Sequence, residues 1–267
     1  MARAMWKGAI SFGLVTIPVS LMPAVAPRKL SFHLLDSQDL SPIHNQRVNA
    51  SGEEVPWERV IKGYELPDGR WVTLTDEDFR AANVKAMQTI DVVSAVCTDE
   101  VPLTYFDMPY YLAPEKAGVK AYALLREALR RAGRVAIAQV VIRTRQRLCA
   151  LVPHDDMLLL EILRYPYELR AADEIEAPGE DLMALGVSEA EIALAEQLVR
   201  TIERAWDPDA YHDTYHDDLL ALIERKAAGE TVAIAEEPVP AAKVVDIAEL
   251  LKRSVEQARR ARAAGAG

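Results

Sequence analysis

The sequence contains little cysteine and no long apolar run. Only Cys97 and Cys149 are cysteines among the 267 residues, and each lies in an apolar stretch. The sequence therefore favours a reducing compartment over a disulfide framework. No stretch approaches the roughly 20 consecutive apolar residues of a membrane-spanning helix. We therefore expect a cytoplasmic chain with no membrane partner.

Motifs of the common enzyme classes are also missing. The sequence shows no Walker loop, no nucleophile elbow, no dinucleotide glycine fingerprint and no paired cysteine and histidine. We predict neither catalysis nor a cofactor. One alternative stays open, a hydrolase that uses His212 and neighbouring carboxylates. His212 and His216 are four positions apart, but they lack the zincin pattern and a third ligand, so no metal is predicted.

The net charge of −10 is unfavourable for binding nucleic acid, since neutralising phosphates requires basic residues. The charge is divided unevenly. Residues 1–170 contain 21 Lys and Arg against 20 Asp and Glu, whereas residues 171–267 contain 10 against 21. The acidity thus belongs to the C-terminal third, and a local basic surface in the first part remains compatible with DNA.

The N-terminal pattern predicts strands. Residues 6–21 alternate small, aromatic and branched apolar residues with polar ones, and Gly8, Gly13 and Pro18 indicate bends or an edge. A secretory signal is disfavoured because Gly13, Thr16 and Pro18 interrupt the apolar run. Asp68-Gly69 predicts a hairpin turn before 71–74. The same patterns predict further strands at 89–97, 135–143, 148–152 and 157–163, and a helix at 116–132 that ends at Gly133.

Helical patterns replace strand patterns after residue 171. Ser188 and Glu191 form a capping box that opens a helix, whose apolar face continues to Trp206. A second helix is predicted from about Tyr211, a linker at 235–242 and a last amphipathic helix at 244–262. The predicted regions are 1–170, a β-barrel core; 171–234, a helical arm; and 235–267, a linker and final helix.

Several ordered blocks resemble bacterial Ku proteins. They are residues 1–25, 59–79 (RVIKGYELPDGRWVTLTDEDF), 105–114, 118–129, 134–138 and 206–215. The resemblance implies a mixed α and β fold, with a Ku-core antiparallel β-barrel (SPOC-like), a bridge hairpin over the DNA and a helical C-terminal arm. It also implies a ring-shaped, nucleoid-associated homodimer that binds double-stranded DNA ends in non-homologous end joining, protects and bridges them, and recruits the ATP-dependent DNA ligase D.

The strongest candidate site is the basic turn that contains Arg143, Arg145 and Arg147. On a strand-like turn these odd positions point to one side, so all three can face phosphates. From composition alone, the alternative is a solvated hairpin tip that binds nothing. The resemblance favours DNA binding by this turn. The other candidate DNA-binding residues are Lys7, Arg28, Lys29, Arg47, Lys62 and Arg70. We expect no base readout, and therefore sequence-independent, salt-dependent binding.

Two departures from the family pattern qualify the resemblance. Some members carry a cysteine pair where this sequence has residues 49–52, so we predict no zinc there. The sequence also lacks a long lysine-rich tail after Arg262, and functions tied to such a tail are not expected. A rival hypothesis remains, a β-barrel scaffold that binds a protein partner and has weak or no affinity for DNA.

Overall fold

The computed structural model describes residues 3–26, 30–81, 88–143, 145–230 and 247–264. The chain divides into two compact units, Met1–Ala172 and Asp173–Gly267. The strands and helices in chain order are β1 (Trp6–Phe12), β2 (Val15–Pro23), β3 (Lys62–Glu65), β4 (Trp71–Leu74), α1 (Asp76–Ala81), β5 (Thr89–Cys97), β6 (Phe106–Pro114), α2 (Val119–Ala132), β7 (Arg134–Ile142), β8 (Arg145–His154), β9 (Met157–Leu163), α3 (Glu189–Ile202), α4 (Thr214–Ala227) and α5 (Ile247–Ala264).

A closed barrel forms the centre of the first unit, with the strand order β1-β2-β6-β9-β8-β7-β5. Neighbouring strands are antiparallel except β1 and β5, which pair in parallel from Ala9 and Thr89 to Ser11 and Asp91. The predicted mixed fold with an antiparallel barrel is confirmed, with one parallel seam that the sequence pattern did not indicate. Such a seam requires a crossover, and here the chain leaves the barrel after β2 and returns at β5.

The barrel interior is filled by alternate residues of its strands, because successive side chains of a strand face opposite sides. The buried cluster consists of Ile10, Ile17, Val19, Leu21, Ile90, Leu112, Ala136, Ala138, Val140, Cys149, Leu151, Leu158, Leu160 and Ile162, joined by Tyr122, Leu125 and Leu129 of α2. The Tyr122 hydroxyl donates to the Leu112 carbonyl at 2.6 Å and accepts from the Leu158 N–H at 2.6 Å. Helix α2 therefore packs over one end of the barrel.

Both ends of α2 are fixed by local chemistry. A Cβ at Gly118 would lie 2.9 Å from the Pro18 carbonyl oxygen, so glycine permits the close approach of the helix start to β2. Gly133 follows α2 with φ 60°, the left-handed conformation that ends many helices. The guanidinium of Arg130 donates to the Asp155 carbonyl in the turn between β8 and β9. The helix is thus tied to the barrel by backbone contacts as well as by its apolar face.

The segment between β2 and β5 forms structure outside the barrel. Strands β3 and β4 make a separate two-stranded sheet, with Lys62 opposite Leu74 and Glu65 opposite Trp71. Gly69 has φ 81° in the connecting turn, so the predicted hairpin is confirmed. A two-stranded sheet of this size is marginally stable alone in water, which makes contacts beyond the sheet important.

Several predicted boundaries are wrong. Helix α2 begins at Val119 and not at residue 116, β7 ends at Ile142 and not at 143, β8 ends at His154 and not at 152, and α4 begins at Thr214 and not near Tyr211. Strand β8 begins at Arg145 and not at residue 148, because pairing with β7 holds the arginines in the ladder despite their polar character. Helix α3 ends at Ile202, so Trp206 lies outside it and stacks on Tyr211 with ring centroids 5.3 Å apart. The predicted strands at 89–97 and 157–163 are confirmed, as is the helix through Ala132.

The second unit contains α3, α4 and α5. The Ser188 hydroxyl accepts from the Glu191 N–H at 3.3 Å, and the Glu191 carboxylate accepts from the Ser188 N–H at 2.8 Å, which confirms the capping box. Helices α3 and α5 pack together, and Val255 is buried. The predicted linker at 235–242 lies outside the described residues. Within the described ranges, no helix is both long and apolar enough to cross a bilayer.

Candidate nucleic-acid interface

The inward-facing row of β8 ends in arginine. The ladder with β7 places Arg147 opposite Val140 and Arg145 opposite Ile142. Cys149, two residues after Arg147, lies on the same face of β8. Cys149 and Val140 are fully buried in the barrel. Since side chains two residues apart share a face, Arg147 and Arg145 continue the interior row outward to the end of the barrel.

A cavity of about 440 Å³ lies at this end. We call it the barrel mouth, and its lining consists of Met5, Asp107, Met108, Tyr110, Ile142, Arg143, Arg145, Arg147 and Ile162. These residues come from the start of β6 and β8 and from the end of β7 and β9. Helix α2 contacts the opposite ends of β6 and β9 through Tyr122, so the barrel is covered at one end and opens among arginines at the other.

Arg143 occupies an unusual backbone position. Ile142 pairs with Arg145, which leaves a two-residue connection whose first residue, Arg143, has φ 60°. Glycine, asparagine or aspartate normally takes such a position, because a side chain there costs about 1–2 kcal/mol. The sequence keeps arginine despite this cost, and the side chain lies on the wall of the barrel mouth.

The arginines of the mouth differ in their partners. Arg145 forms an ion pair with Glu168 at 3.9 Å. Across the described part of the chain, the side chains of Arg143 and Arg147 form no hydrogen bond or ion pair. The carboxylate of Asp107 on the same wall accepts from the Arg164 guanidinium at 2.7 Å. The mouth therefore presents two guanidiniums available to an external anion.

Two tyrosines lie beside the barrel mouth. Tyr165 and Tyr167 are stacked with ring centroids 5.3 Å apart and an interplanar angle of 9°. Burial raises the pKa of the Tyr165 hydroxyl, as do Tyr167, Cys149 and Glu168, while the charge of Arg147 lowers it. The Glu168 carboxylate, which pairs with Arg145, also accepts from the Tyr165 N–H at 2.9 Å, so Tyr165 lies beside the mouth. The sequence analysis missed both tyrosines and the wall residues of β6, although their positions at strand ends offered a signal.

Some other predicted DNA-binding residues are dispersed. Lys7 on β1 lies 3.8 Å from the Glu115 carboxylate. The guanidinium of Arg47 lies 5.0 Å from the centre of the Trp57 ring. Arg28 and Lys29 lie outside the described residues. Neither Lys7 nor Arg47 lines the barrel mouth.

Lys62 and Arg70 belong to the β3–β4 sheet and its turn. The Lys62 ammonium lies 3.0 Å from an Asp76 carboxylate oxygen and 4.7 Å from the centre of the Phe79 ring. Arg70 donates to Asp68 at 2.8 Å, and this bond holds the pKa of the Asp68 carboxyl below its usual range. Both pairs are exposed, so they are weak and can be exchanged for a stronger anionic partner.

The segment from 30 to 74 exposes many large apolar side chains. They include Phe32, Leu34, Leu40, Ile43, Trp57, Ile61, Tyr64 and Trp71. Ile61 and Trp71 retain 69% and 66% of their accessible surface. Apolar surface gathered in this way marks a surface that another molecule covers. The charge pattern alone did not single out this surface.

The histidine and metal hypotheses can be compared with the geometry. His212 precedes α4, which begins at Thr214 after its cap Asp213, so His212 and His216 do not share a helical face. In the described ranges, no three His, Cys, Asp or Glu side chains come together as metal ligands. At residues 49–52, the Asn49 side chain accepts from the N–H groups of Ser51 and Glu53, and this closes the loop without metal.

Comparison with known proteins gives consistent results. Residues 11–192 match the family model described as the Ku70/Ku80 beta-barrel domain. Proteins named "Non-homologous end joining protein Ku" are similar over nearly the whole chain. The Pseudomonas aeruginosa protein is 44% identical, covering 99% of this chain and 90% of its own. The Coxiella burnetii protein is 39% identical, covering 96% and 95%.

Among solved structures, the chain has a likeness to the SPOC domain of human PHD-finger protein 3. The sequence identity is 10% and the TM-score is 0.30, with 61% of this chain and 97% of that chain covered.

Proposed function

The chain belongs to the Ku family, and we propose that it binds double-stranded DNA ends as a ring-shaped homodimer in non-homologous end joining. In this role it protects and bridges the ends and recruits an ATP-dependent repair ligase, ligase D. It acts without catalysis of its own, in the cytoplasm at the nucleoid. The near-full-length similarity to proteins named for end joining carries the proposal.

The homodimer is supported by the exposed apolar surface of residues 30–74. The β3–β4 sheet pairs with no other strand of the described chain, and Ile61 and Trp71 are largely exposed. Interfaces of stable complexes are enriched in such aromatic and aliphatic side chains. A second copy of this segment covers these residues in the proposed dimer, and the two segments together pass around the DNA.

DNA binding is supported by the distribution of charge. Residues 1–170 carry nearly balanced charge and residues 171–267 carry the acidity, so the barrel unit is compatible with a polyanion. In the proposal Lys7, Arg47, Lys62 and Arg70 contact the phosphates of the duplex, as do Arg28 and Lys29. Arg143, Arg145 and Arg147 contact phosphates at the barrel mouth. Such contacts carry no sequence information.

The second unit supplies the helical arm and the ligase-recruiting region of the proposal. Val187, Ile192, Ala195, Ile247 and Leu251 form an apolar groove where α3 meets α5. Amphipathic helices use grooves of this kind to bind partner helices or segments. We assign residues 171–234 to dimerisation, where they reinforce the main contact made by residues 30–74, and 235–267 to the ligase contact.

The test is a gel-shift titration at moderate salt with a linear duplex of about 40 base pairs, compared with the same duplex closed by bulky hairpins. A preformed ring loads only from a free end, so the open duplex is expected to bind at least tenfold more tightly. Equal affinity for the open and closed duplexes would indicate a general DNA-binding protein without a preference for ends. No binding to either duplex would favour the protein-scaffold hypothesis.

The variant Ile61→Ser/Trp71→Ser tests the dimer independently. Sedimentation should show a monomer, because two large apolar side chains leave the interface, and the preference for open ends should fall with it. Leu124→Ser is the matched control, since Leu124 is 70% exposed on α2, outside the segment 30–74. A dimeric double variant would contradict the assignment of this surface.

A further inference from the structure

We propose that the barrel mouth binds one unpaired nucleotide of a single-stranded overhang, with its phosphate on Arg143 and Arg147 and its base against the apolar wall. This inference rests on the proposed binding of DNA ends. It adds a second contact, which distinguishes an overhanging end from a blunt end. This contact is separate from the contacts to the duplex.

The size of the cavity argues for a single nucleotide. A sphere of 440 Å³ is about 9 Å across, whereas the major groove of B-DNA alone is about 12 Å wide. A duplex therefore stays outside the barrel mouth. Cavities of about 300–1,000 Å³ commonly enclose small ligands, and one nucleotide falls within this range.

The charges of the mouth suit one phosphate group. Arg143 and Arg147 form no ion pair with other described residues, and Arg145 is held only at 3.9 Å by Glu168. Guanidiniums bind phosphate through paired N–H donors, which makes arginine suited to this anion. Asp107 on the same wall is already neutralised by Arg164 at 2.7 Å, so it does not repel the phosphate.

The remaining wall suits a base and sugar. Met108, Tyr110 and Ile162 give the lining of the mouth apolar surface on β6 and β9, beside the arginines of β8. Glu168 pairs with Arg145 and accepts from the Tyr165 N–H at 2.9 Å, so the stacked Tyr165 and Tyr167 lie at the edge of the mouth. Tyr167 is 76% exposed. Basic residues beside aromatic rings are the usual means of binding single strands without sequence preference. The following unpaired base therefore has a surface on which to stack.

The strained backbone of Arg143 supports a binding role. Its φ of 60° carries a steric cost that glycine would remove. Residues held in such conformations gather at binding sites, where the position of the side chain matters. In this conformation Arg143 lines the cavity.

The experiment measures competition binding to three duplexes that share about 40 base pairs, one with blunt ends and two with three-nucleotide 3′ or 5′ overhangs. We expect about a tenfold advantage for at least one overhang, given the usual strength of base stacking. In Arg143→Gln/Arg147→Gln this advantage should disappear, because the overhanging ends lose more affinity than the blunt end does.

The matched control is Arg131→Gln/Arg134→Gln, which removes the same charge near the covered end of the barrel. It should retain the overhang advantage. An absence of any advantage in the unaltered protein, with blunt ends still bound, would overturn this inference and leave the proposed function intact. An equal loss for blunt and overhanging ends in the mouth variant would also overturn it. Failure to bind any end would refute both.

Discussion

The Tyr122 hydroxyl gives a quantitative test of how α2 closes the barrel. Tyr122 is 4% exposed, and its hydroxyl bonds to the Leu112 carbonyl and the Leu158 N–H, each at 2.6 Å. Tyr122→Phe removes one oxygen and leaves a buried N–H without its acceptor, which costs about 1–3 kcal/mol. A loss near 2 kcal/mol corresponds to a melting temperature lowered by about 4–8 °C in a unit of this size.

Urea denaturation followed by circular dichroism measures this loss. Tyr64→Phe is the control, since Tyr64 is exposed on β3, and it should match the unaltered protein. Burial raises the pKa of Tyr122, so its contribution is complete below the unfolded pKa near 10 and is lost as the pH rises further. The gap between the two proteins should therefore narrow at strongly alkaline pH. A loss below about 0.5 kcal/mol at neutral pH would refute the bridging role of the hydroxyl.

Three further results are expected. Burial raises the pKa of the Cys149 thiol far above its ordinary value, so a thiol reagent at pH 8 should modify Cys97 alone until urea unfolds the protein; two rapid modifications would contradict this burial. Ser188→Ala should destabilise the second unit by about 1 kcal/mol through loss of the cap, measured by urea denaturation against Ser51→Ala, and equal midpoints would count against the cap. Arg143→Gly should leave the free energy of unfolding within about 1 kcal/mol, because relief of strain offsets chain entropy; a larger fall would show that the arginine serves the fold.

The local pattern of the sequence was sufficient for many elements of the barrel. The apolar segments 89–97 and 157–163 predicted β5 and β9 with the observed bounds, because short apolar runs between polar turns are typical of strands. The left-handed Gly133 likewise ended α2 as predicted. These features depend on neighbouring residues, and a sequence carries them directly.

Features that depend on distant pairing were not predictable from local patterns. The start of β8 was missed because the ladder to β7, and not local propensity, keeps Arg145 extended. Period-two alternation accounts for Arg145 and Arg147, which share a face of β8, whereas Arg143 lines the same cavity from the turn, with φ 60°. The rest of the lining includes Met5, Asp107 and Ile162, which pairing between strands distant in sequence brings together. The DNA-binding role of all nine basic residues stays a prediction.

The parallel seam between β1 and β5 has a consequence for how the family can vary. The chain leaves the barrel at the end of β2, after Pro23. It rejoins the barrel at Thr89 in β5, which pairs with β1. The segment is thus anchored on β2 and β5, the two strands that flank β1. Doubling the length of a flexible loop costs only about 0.6 kcal/mol in closure entropy. Insertions and deletions between β2 and β5 can therefore change what this segment binds, with little effect on the free energy of folding of the barrel.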